Sequence, residues 1–245
     1  MALLQNYAGD IKGKVIFTTG VSPGSLGSHF AQSIAAAGPR CLNLAGRNRS
    51  KIQQAADEIK ASHPSVETHL EIDLAALDSF RRAASQIHSP FLLAYLIMGK
   101  VLSAGGESPR IVIIASDEHR LSGIRMVRPS LWLRRLAARN LLEFSLHHGV
   151  TFTNLANHLT FSKIWTGTSR SSESAHDRAR GDPEGWKGLD PKPLETGVSA
   201  HVYAALDLDL AGPWVDPVKP WATSALEAER LWKLSEELVG EKFTY

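Results

Sequence analysis

The stretch Lys14–Gly27, KVIFTTGVSPGSLG, decides the fold of this chain. Lys14–Thr19 is mostly β-branched or apolar and predicts a buried strand, while the alanine-rich segment after the stretch predicts a helix. Glycines let the backbone turn sharply between the two elements, and the N–H groups and dipole at a helix start favour negative charge. This order of strand, glycine turn and helix predicts a site that holds a pyrophosphate group.

The candidate binding residues of this turn are Gly20, Ser22, Gly24, Leu26 and Gly27. A glycine triplet alone is a weak signal, but a strand before it and a helix after it strengthen the hypothesis. The alternative is a plain glycine-rich connection between a strand and a helix, without any ligand.

Length and composition restrict the kinds of protein and partner. The 245 residues are 43% hydrophobic, enough for one sizeable core, and we predict a single domain over residues 1–245. The 27 basic and 25 acidic residues give a net charge of +2, too even to favour nucleic acid or a membrane surface. A small-molecule substrate is therefore the predicted partner, and self-association into a homo-oligomer stays open.

Cysteine content and hydropathy bear on the cellular compartment. Cys41 is the only cysteine, so an internal disulfide or a cysteine-built metal site is excluded, and no metal ligand is predicted. Residues Met1–Asp10 lack the pattern of a signal peptide, and the longest apolar run, Phe91–Met98, is far shorter than the roughly 20 residues that span a bilayer. We expect a cytoplasmic protein without a membrane span.

Short apolar runs alternate with segments of helical period, which predicts an α/β fold with a doubly wound parallel sheet and helices on both faces. The predicted strands are Lys14–Thr19, Cys41–Ala45, Val66–Ile72, Arg110–Ala115 and Val150–Leu155. The predicted helices are Ser25–Ala37, Ser50–Ala61, Leu74–His88, Leu131–Leu146, Leu194–Leu206 and Ser224–Leu238. The polar segment Lys163–Pro193 is too long for an ordinary connection and is typical of a binding loop or lid.

The end of the second predicted strand lies where the ribose of a bound adenosine would reach. It carries Arg47 and Asn48, with no acidic residue from Leu42 to Lys51. An acidic side chain there would bind the two ribose hydroxyls, whereas arginine pairs with a 2′-phosphate. The pattern favours NADP over NAD; the alternative is a solvated cap that leads into the next helix.

Asp73 and Leu74 come directly after the third predicted strand. At that position an aspartate can accept a hydrogen bond from the adenine amino group. The alternative is that Asp73 caps the following helix, since one side chain serves only one of these duties well.

These residues resemble the short-chain dehydrogenase/reductase family, especially its fungal retinol-dehydrogenase-like branch. The similar stretches are TTGVSPGSLG at 18–27, LAGRNRSKI at 44–52, EIDLAALDSFRRAA at 71–84, the run from Leu96 to Ser122 with RIVIIASDEHRLS, and LETGVSAHVYAALD and ERLWKLSEELVGE near the end. The resemblance implies a Rossmann-like sheet, NADP as cofactor, and oxidoreduction of a small alcohol or carbonyl in fungal secondary metabolism.

The same resemblance assigns the chemistry, and there this chain departs from the pattern. Ser116 matches the family's substrate-orienting serine. The family's Tyr-x-x-x-Lys pair should follow on the next helix, but no tyrosine occurs between Tyr95 and Tyr203. An alignment anchored on Asn140 places Leu133 and Ala137 at the pair, and one anchored on Trp132 places Arg135 and Arg139 there.

The loss of the pair removes the usual proton donor. A carbonyl that accepts hydride also needs a proton, and general acid catalysis is worth about 10² to 10⁴ in rate. An arginine cannot replace the tyrosine because its pKa exceeds about 12. Two hypotheses follow: an NADP-linked oxidoreductase without the standard acid, or a non-redox protein of the same fold, either an isomerase or cyclase or a non-catalytic partner.

The family's Asn-Asn-Ala-Gly strand is also absent, since about 30 family positions are missing near Pro90. In the family this strand lies between the first strand and the strand before Ser116. We predict that these two strands move toward each other by about 4.8 Å, the width of one strand, and pair directly. This pairing would avoid unpaired backbone groups. The alternative is that Phe91–Tyr95 fills the vacant place.

Overall fold

The structure is a computed structural model, and it describes residues 9–46, 48–72, 97–103, 109–115, 141–151, 153–154, 175, 178–179, 191–207, 210, 225–240 and 242. The predicted helix Leu74–His88, the segment Phe91–Tyr95 and most of Lys163–Pro193 lie outside these residues. Among the described helices, none is both long enough and apolar enough to cross a membrane.

The amino-terminal part is a three-stranded parallel sheet whose strand order is β1-β2-β3. Its strands are β1 (Val15–Thr19), β2 (Cys41–Gly46) and β3 (Glu67–Ile72), which confirms the first three predicted strands to within one residue at each end. Helix α1 (Leu26–Ala35) connects β1 to β2, and α2 (Arg49–Ser62) connects β2 to β3. This alternation is the right pattern for a parallel sheet because parallel neighbours need a long crossover.

The core lies between this sheet and the helices. Leu42 and Leu44 are two positions apart on β2, so their side chains point to the same face of the sheet, and both are fully buried. In α2 the apolar side chains Ile52 and Ile59 recur at helical spacing and join the same buried cluster. Val202, on helix α3 (Leu194–Leu206), belongs to the same cluster. Each such side chain contributes about 1.5–3 kcal/mol on burial, so this part holds itself together through apolar contact.

Further strands form two small parallel sheets. β4 (Arg110–Ala115) pairs with β5 (Leu142–His147), and β6 (Val150–Thr151) pairs with β7 (Pro191–Lys192). Residues 97–103 are helical, and α4 (Ala225–Val239) follows α3. The bounds of β4 and α3 agree with those predicted from the sequence.

Two predictions about the middle of the chain are wrong. From Leu142 onward, the predicted helix Leu131–Leu146 is instead a strand. Of the described residues in the predicted strand Val150–Leu155, only Val150–Thr151 pair with another strand. The sequence LEFSLH at 142–147 alternates apolar and polar residues, which suits one face of a strand as well as it suits part of a helix. Pairing with β4 along the whole of β5 resolves the ambiguity in favour of the strand.

The predicted closure of the sheet is also wrong. β1 and β4 are both described over their full length, and they belong to separate sheets. β4 instead pairs with β5 and contacts α3, where the Arg110 guanidinium donates to the Ala204 carbonyl at 3.3 Å. Each of the two strands keeps an exposed apolar side chain: Val15 on β1 is 49% exposed and Ile114 on β4 is 45% exposed.

Candidate dinucleotide-binding site

The glycine turn after β1 adopts a backbone that few other residues tolerate. Gly20 has φ +68° and Gly24 has φ +75°, both in the left-handed region. An L-residue costs roughly 1–2 kcal/mol there because its Cβ approaches the following carbonyl oxygen. These two glycines therefore permit the sharp reversal from β1 into α1.

Ser25 determines where α1 begins. Its Oγ accepts a hydrogen bond from the Ser28 N–H at 3.2 Å and donates one to the Gly20 carbonyl, so it ties the helix start to the turn. The Ser25 N–H donates to the Ser22 carbonyl at 3.0 Å. The first turn of α1 contains no acidic side chain, so the positive end of the helix dipole is not neutralised from within. This helix start suits an anionic group such as a pyrophosphate.

Gly27 brings α1 very close to the turn. A Cβ at this position would lie 2.5 Å from the Thr19 carbonyl oxygen and 2.6 Å from that of Gly20. Because both neighbours are backbone atoms, no side-chain rotation relieves the clash. Leu26, next to it, is partly buried and packs against the core cluster, which holds the helix start in place.

Asn154 supports the turn from a distant part of the chain. Its Nδ2 donates to the Pro23 carbonyl at 2.7 Å, and a Cβ at Gly24 would lie 2.6 Å from that same nitrogen. Sequence reasoning missed this residue, because 131 positions separate it from Pro23 and no motif links them.

Asn48 has a structural duty at the end of β2. Its Oδ1 accepts hydrogen bonds from the Lys51 N–H at 3.1 Å and the Ser50 hydroxyl at 2.7 Å, so the side chain caps α2. The sequence left open a cap that leads into the next helix, and Asn48 is that cap. Helix α2 therefore begins at Arg49. A contact between Asn48 and the cofactor stays a prediction. Because Oδ1 already accepts two hydrogen bonds, the Nδ2 group is the part of the side chain that is open for such a contact.

Replacing Asn48 with alanine should lower the free energy of unfolding by about 1 kcal/mol, since the Lys51 N–H loses its partner. Urea-induced unfolding measures the change. Asn48→Asp serves as the matched control, because aspartate caps helices equally well and should behave like the unsubstituted protein. Equal losses in the two variants would contradict a capping role.

The remaining predicted site residues lie outside the described part, but the strands that precede several of them end together. Thr19 pairs with Ala45 and Gly46 pairs with Ile72, so the carboxyl ends of β1, β2 and β3 share one edge of the sheet. Ligands of open α/β sheets bind at this edge. The chain continues from these strand ends into Gly20, Arg47, and Asp73 with Leu74. Ser116 follows β4, which belongs to a different described sheet.

Two histidines, His201 and His148, pack against each other. His201 on α3 is only 4% exposed, its ring meets the rings of His148 and Phe30 edge-on at 5.5 Å and 6.4 Å, and its Nε2 has no hydrogen-bond partner in the described structure. Burial, and secondarily the proximity of His148, lowers the pKa of His201 to about 4. Burial, and secondarily the proximity of His147, lowers the pKa of His148. Both rings are therefore neutral at physiological pH and act as packing groups.

Sequence similarity to a known protein covers a third of the chain. No family profile matches the sequence. The chain is 34% identical to the oxidoreductase fscI of Fusarium equiseti over 82 residues, which are 33% of this chain and 32% of that protein. The match therefore spans about a third of the length of that curated relative.

Solved structures extend the comparison over most of the chain. The L-sorbose reductase of Gluconobacter frateurii, complexed with NADPH and L-sorbose, is 14% identical with a TM-score of 0.55 over 80% of this chain and 91% of its own. An NADPH-bound short-chain oxidoreductase of Pseudomonas aeruginosa with an atypical catalytic center is 12% identical, with a TM-score of 0.53 over 79% and 90%. An NADP-bound 3-oxoacyl (acyl-carrier-protein) reductase of Agrobacterium tumefaciens is 17% identical, with a TM-score of 0.54 over 83% and 91%.

These likenesses define the fold. The chain has the Rossmann-like α/β fold of the short-chain dehydrogenases and reductases, with parallel strands connected by helices. This confirms the fold predicted from the sequence, and the glycine turn lies where such folds bind a dinucleotide.

Proposed function

We propose that this protein binds NADP(H) at the turn from Gly20 to Gly27 and is an oxidoreductase of the short-chain type for a small alcohol or carbonyl substrate. The observation that carries the proposal is Gly27, whose missing side chain lets α1 start within contact distance of the β1 carboxyl end. A helix that begins so close to the strand, without an acidic first turn, is suited to a pyrophosphate. The NADPH- and NADP-bound neighbours support this cofactor.

Each proposed residue has a separate duty. The N–H groups at the start of α1 would hold the pyrophosphate, Arg47 would pair with the 2′-phosphate, and Asp73 with Leu74 would receive the adenine. The bound cofactor supplies or accepts hydride. Ser116 would donate a hydrogen bond to the substrate oxygen and orient it, which is the role that the family resemblance implies.

Proton delivery is where this proposal departs from the usual mechanism. No tyrosine lies between Tyr95 and Tyr203, and a serine hydroxyl is too weak an acid to protonate an alkoxide unaided. His119, three residues after Ser116, is the nearby side chain whose ordinary pKa is close to neutrality. Turnover should therefore be slower by about 10² to 10⁴ than with a tyrosine acid, unless another group of this kind takes its place.

The missing acid also favours a second candidate function, a non-redox isomerase or cyclase on the same fold. Such a reaction needs a binding site of the right shape and a few positioned polar groups, and it does not need a proton for each hydride.

Incubation with a panel of carbonyl compounds and NADPH separates the two candidate functions. Loss of NADPH absorbance with formation of an alcohol supports the oxidoreductase. Conversion of a substrate with unchanged NADPH supports the isomerase or cyclase.

Cofactor choice tests the site itself. NADPH should bind at least ten times more tightly than NADH, and Arg47→Ser should weaken NADPH binding about 10- to 100-fold while leaving NADH binding unchanged. Fluorescence titration measures both affinities. Arg49→Ser is the matched control, since this exposed arginine is already part of α2 and should leave both affinities in place. No affinity for either cofactor in the purified protein would overturn the proposal.

A further inference from the structure

Three side chains able to bind a metal meet at the amino ends of β2 and β3. Cys41 pairs with Glu67 across these parallel strands, and His69 lies two residues further along β3. Residues that pair in register, or that are separated by two along a strand, point to the same face of a sheet. The Cys41 sulfur, a Glu67 carboxylate oxygen and a His69 ring nitrogen all lie within 4.8 Å of one another.

The cluster is open on one side and closed on the other. Cys41 is 7% exposed, whereas the side chains of His69 and Glu67 are 53% and 62% exposed. The thiol thus forms the floor of the cluster, and the other two groups stand at the surface with their Nε2 and Oε1 atoms 2.7 Å apart. An ion could enter from solvent and displace this exposed hydrogen bond, which is worth little by itself.

The ligand set is specific in its chemistry. Thiolate, imidazole and carboxylate are the three protein ligands that zinc uses, and three of them with an open fourth position form a stable site. Ligands of a tetrahedral zinc ion are about 3.5 Å apart, given bond lengths of about 2.0–2.3 Å. The two exposed side chains therefore need only small rotations, because the paired strands already fix the three Cα positions.

The single cysteine led to the prediction of no metal ligand, but the pairing of β2 with β3 brings two further ligand types beside it. We propose that Cys41, Glu67 and His69 form a surface zinc site that cross-links β2 to β3. The alternative role for Cys41 is that of a reactive redox cysteine, but the groups around the thiol disfavour the reactive thiolate form. Burial, and secondarily the Glu67 carboxylate, raises the pKa of the thiol despite the opposing charge of Arg40. A thiol in such surroundings is a poor nucleophile unless a cation replaces its proton.

The zinc site is independent of the proposed cofactor function. It lies at the amino end of β2, whereas the glycine turn faces the carboxyl end, roughly 15 Å away along the strand. Its effect is on the folded state: an ion that binds only when both strands are paired stabilises the sheet.

Cobalt titration of the whole 245-residue chain, after treatment with EDTA, tests the site directly. One equivalent of Co²⁺ should produce a near-ultraviolet sulfur-to-cobalt charge-transfer band, and Zn²⁺ should displace it. Cys41→Ser should abolish the band, and Glu67→Gln and His69→Ala should weaken Co²⁺ binding at least tenfold. His63→Ala is the matched control, since this histidine lies just before β3 but outside the cluster, and it should bind Co²⁺ normally.

Thermal unfolding gives a second readout. Saturating Zn²⁺ should raise the Tm of the unsubstituted protein by about 5 °C or more and leave the Tm of His69→Ala unchanged. Because His69 and Glu67 are exposed, their variants remain informative even if Cys41→Ser does not fold. Absence of the band, or equal Co²⁺ affinity in His69→Ala, overturns the proposal. NADPH affinity should be the same with and without Zn²⁺, so a failure here is distinct from a failure of the cofactor site.

Discussion

Replacement of Gly27 by alanine will lower the free energy of unfolding by about 3 kcal/mol and, if the proposed function is right, abolish NADPH binding. The added methyl group would lie 2.5 Å and 2.6 Å from two backbone carbonyl oxygens, those of Thr19 and Gly20. Neither can move without shifting the end of β1, so α1 must retreat from the turn. The helix start then no longer presents its N–H groups at the phosphate position.

Gly99→Ala is the matched control for this prediction. Gly99 lies within the helical residues 97–103, and a Cβ there meets nothing within 4 Å. Alanine is the better helix former by about 1 kcal/mol, so this variant should be as stable as the unsubstituted protein or slightly more stable. Urea unfolding and fluorescence titration with NADPH measure both variants. If Gly27→Ala keeps both its stability and its affinity, the close approach of α1 is not required.

Acidification from pH 7 to pH 4 will destabilise the protein through His201. Burial lowers the pKa of this histidine to about 4 in the folded state, from 6.5 in the unfolded chain. Between these values the unfolded state binds more protons, so the stabilising contribution is complete above about pH 6.5 and is lost as the pH falls toward 4. Its size is about 2 kcal/mol after allowance for screening by water.

His201→Met isolates this contribution. Methionine has nearly the same volume and does not titrate, so it should fill the space between His148 and Phe30 and flatten the pH dependence by about 2 kcal/mol. His63→Ala, at the end of α2 and away from this pair, should keep the full pH dependence. The free energy of unfolding in urea, measured at intervals from pH 7 to pH 4, decides the matter. A pH profile in His201→Met that matches the unsubstituted protein would show that another group is responsible.

The two predictions differ in how far the sequence anticipates them. The close approach of α1 to the turn at Gly27 follows from a motif within a single stretch, Lys14–Gly27, where strand, turn and helix are neighbours in the chain. The burial of His201 could not be predicted, because α3 must first pack against α1 before this ring loses its contact with water. The bounds of α3 nonetheless follow from the helical period of its own residues.

The middle of the chain shows where local pattern fails. The stretch Leu142–His147 satisfies both a helical and a strand reading, and only the pairing with Arg110–Ala115 selects the strand. In the same way, the prediction that β1 and β4 would close together considered backbone hydrogen bonding at one strand edge. It did not include the contacts of β4 with β5 and α3, which position that strand.

Sequence by itself determined the strand, glycine turn and helix at the start of the Rossmann-like fold, because these depend on residues within a few positions of one another and on the backbone freedom of glycine. Tertiary structure alone decided that Asn154 supports the turn, that His201 is held neutral, and that Cys41 meets Glu67 and His69. Each of these depends on which distant segments pack together. Such contacts arise from the burial of apolar surface over the whole chain, which no local spacing records.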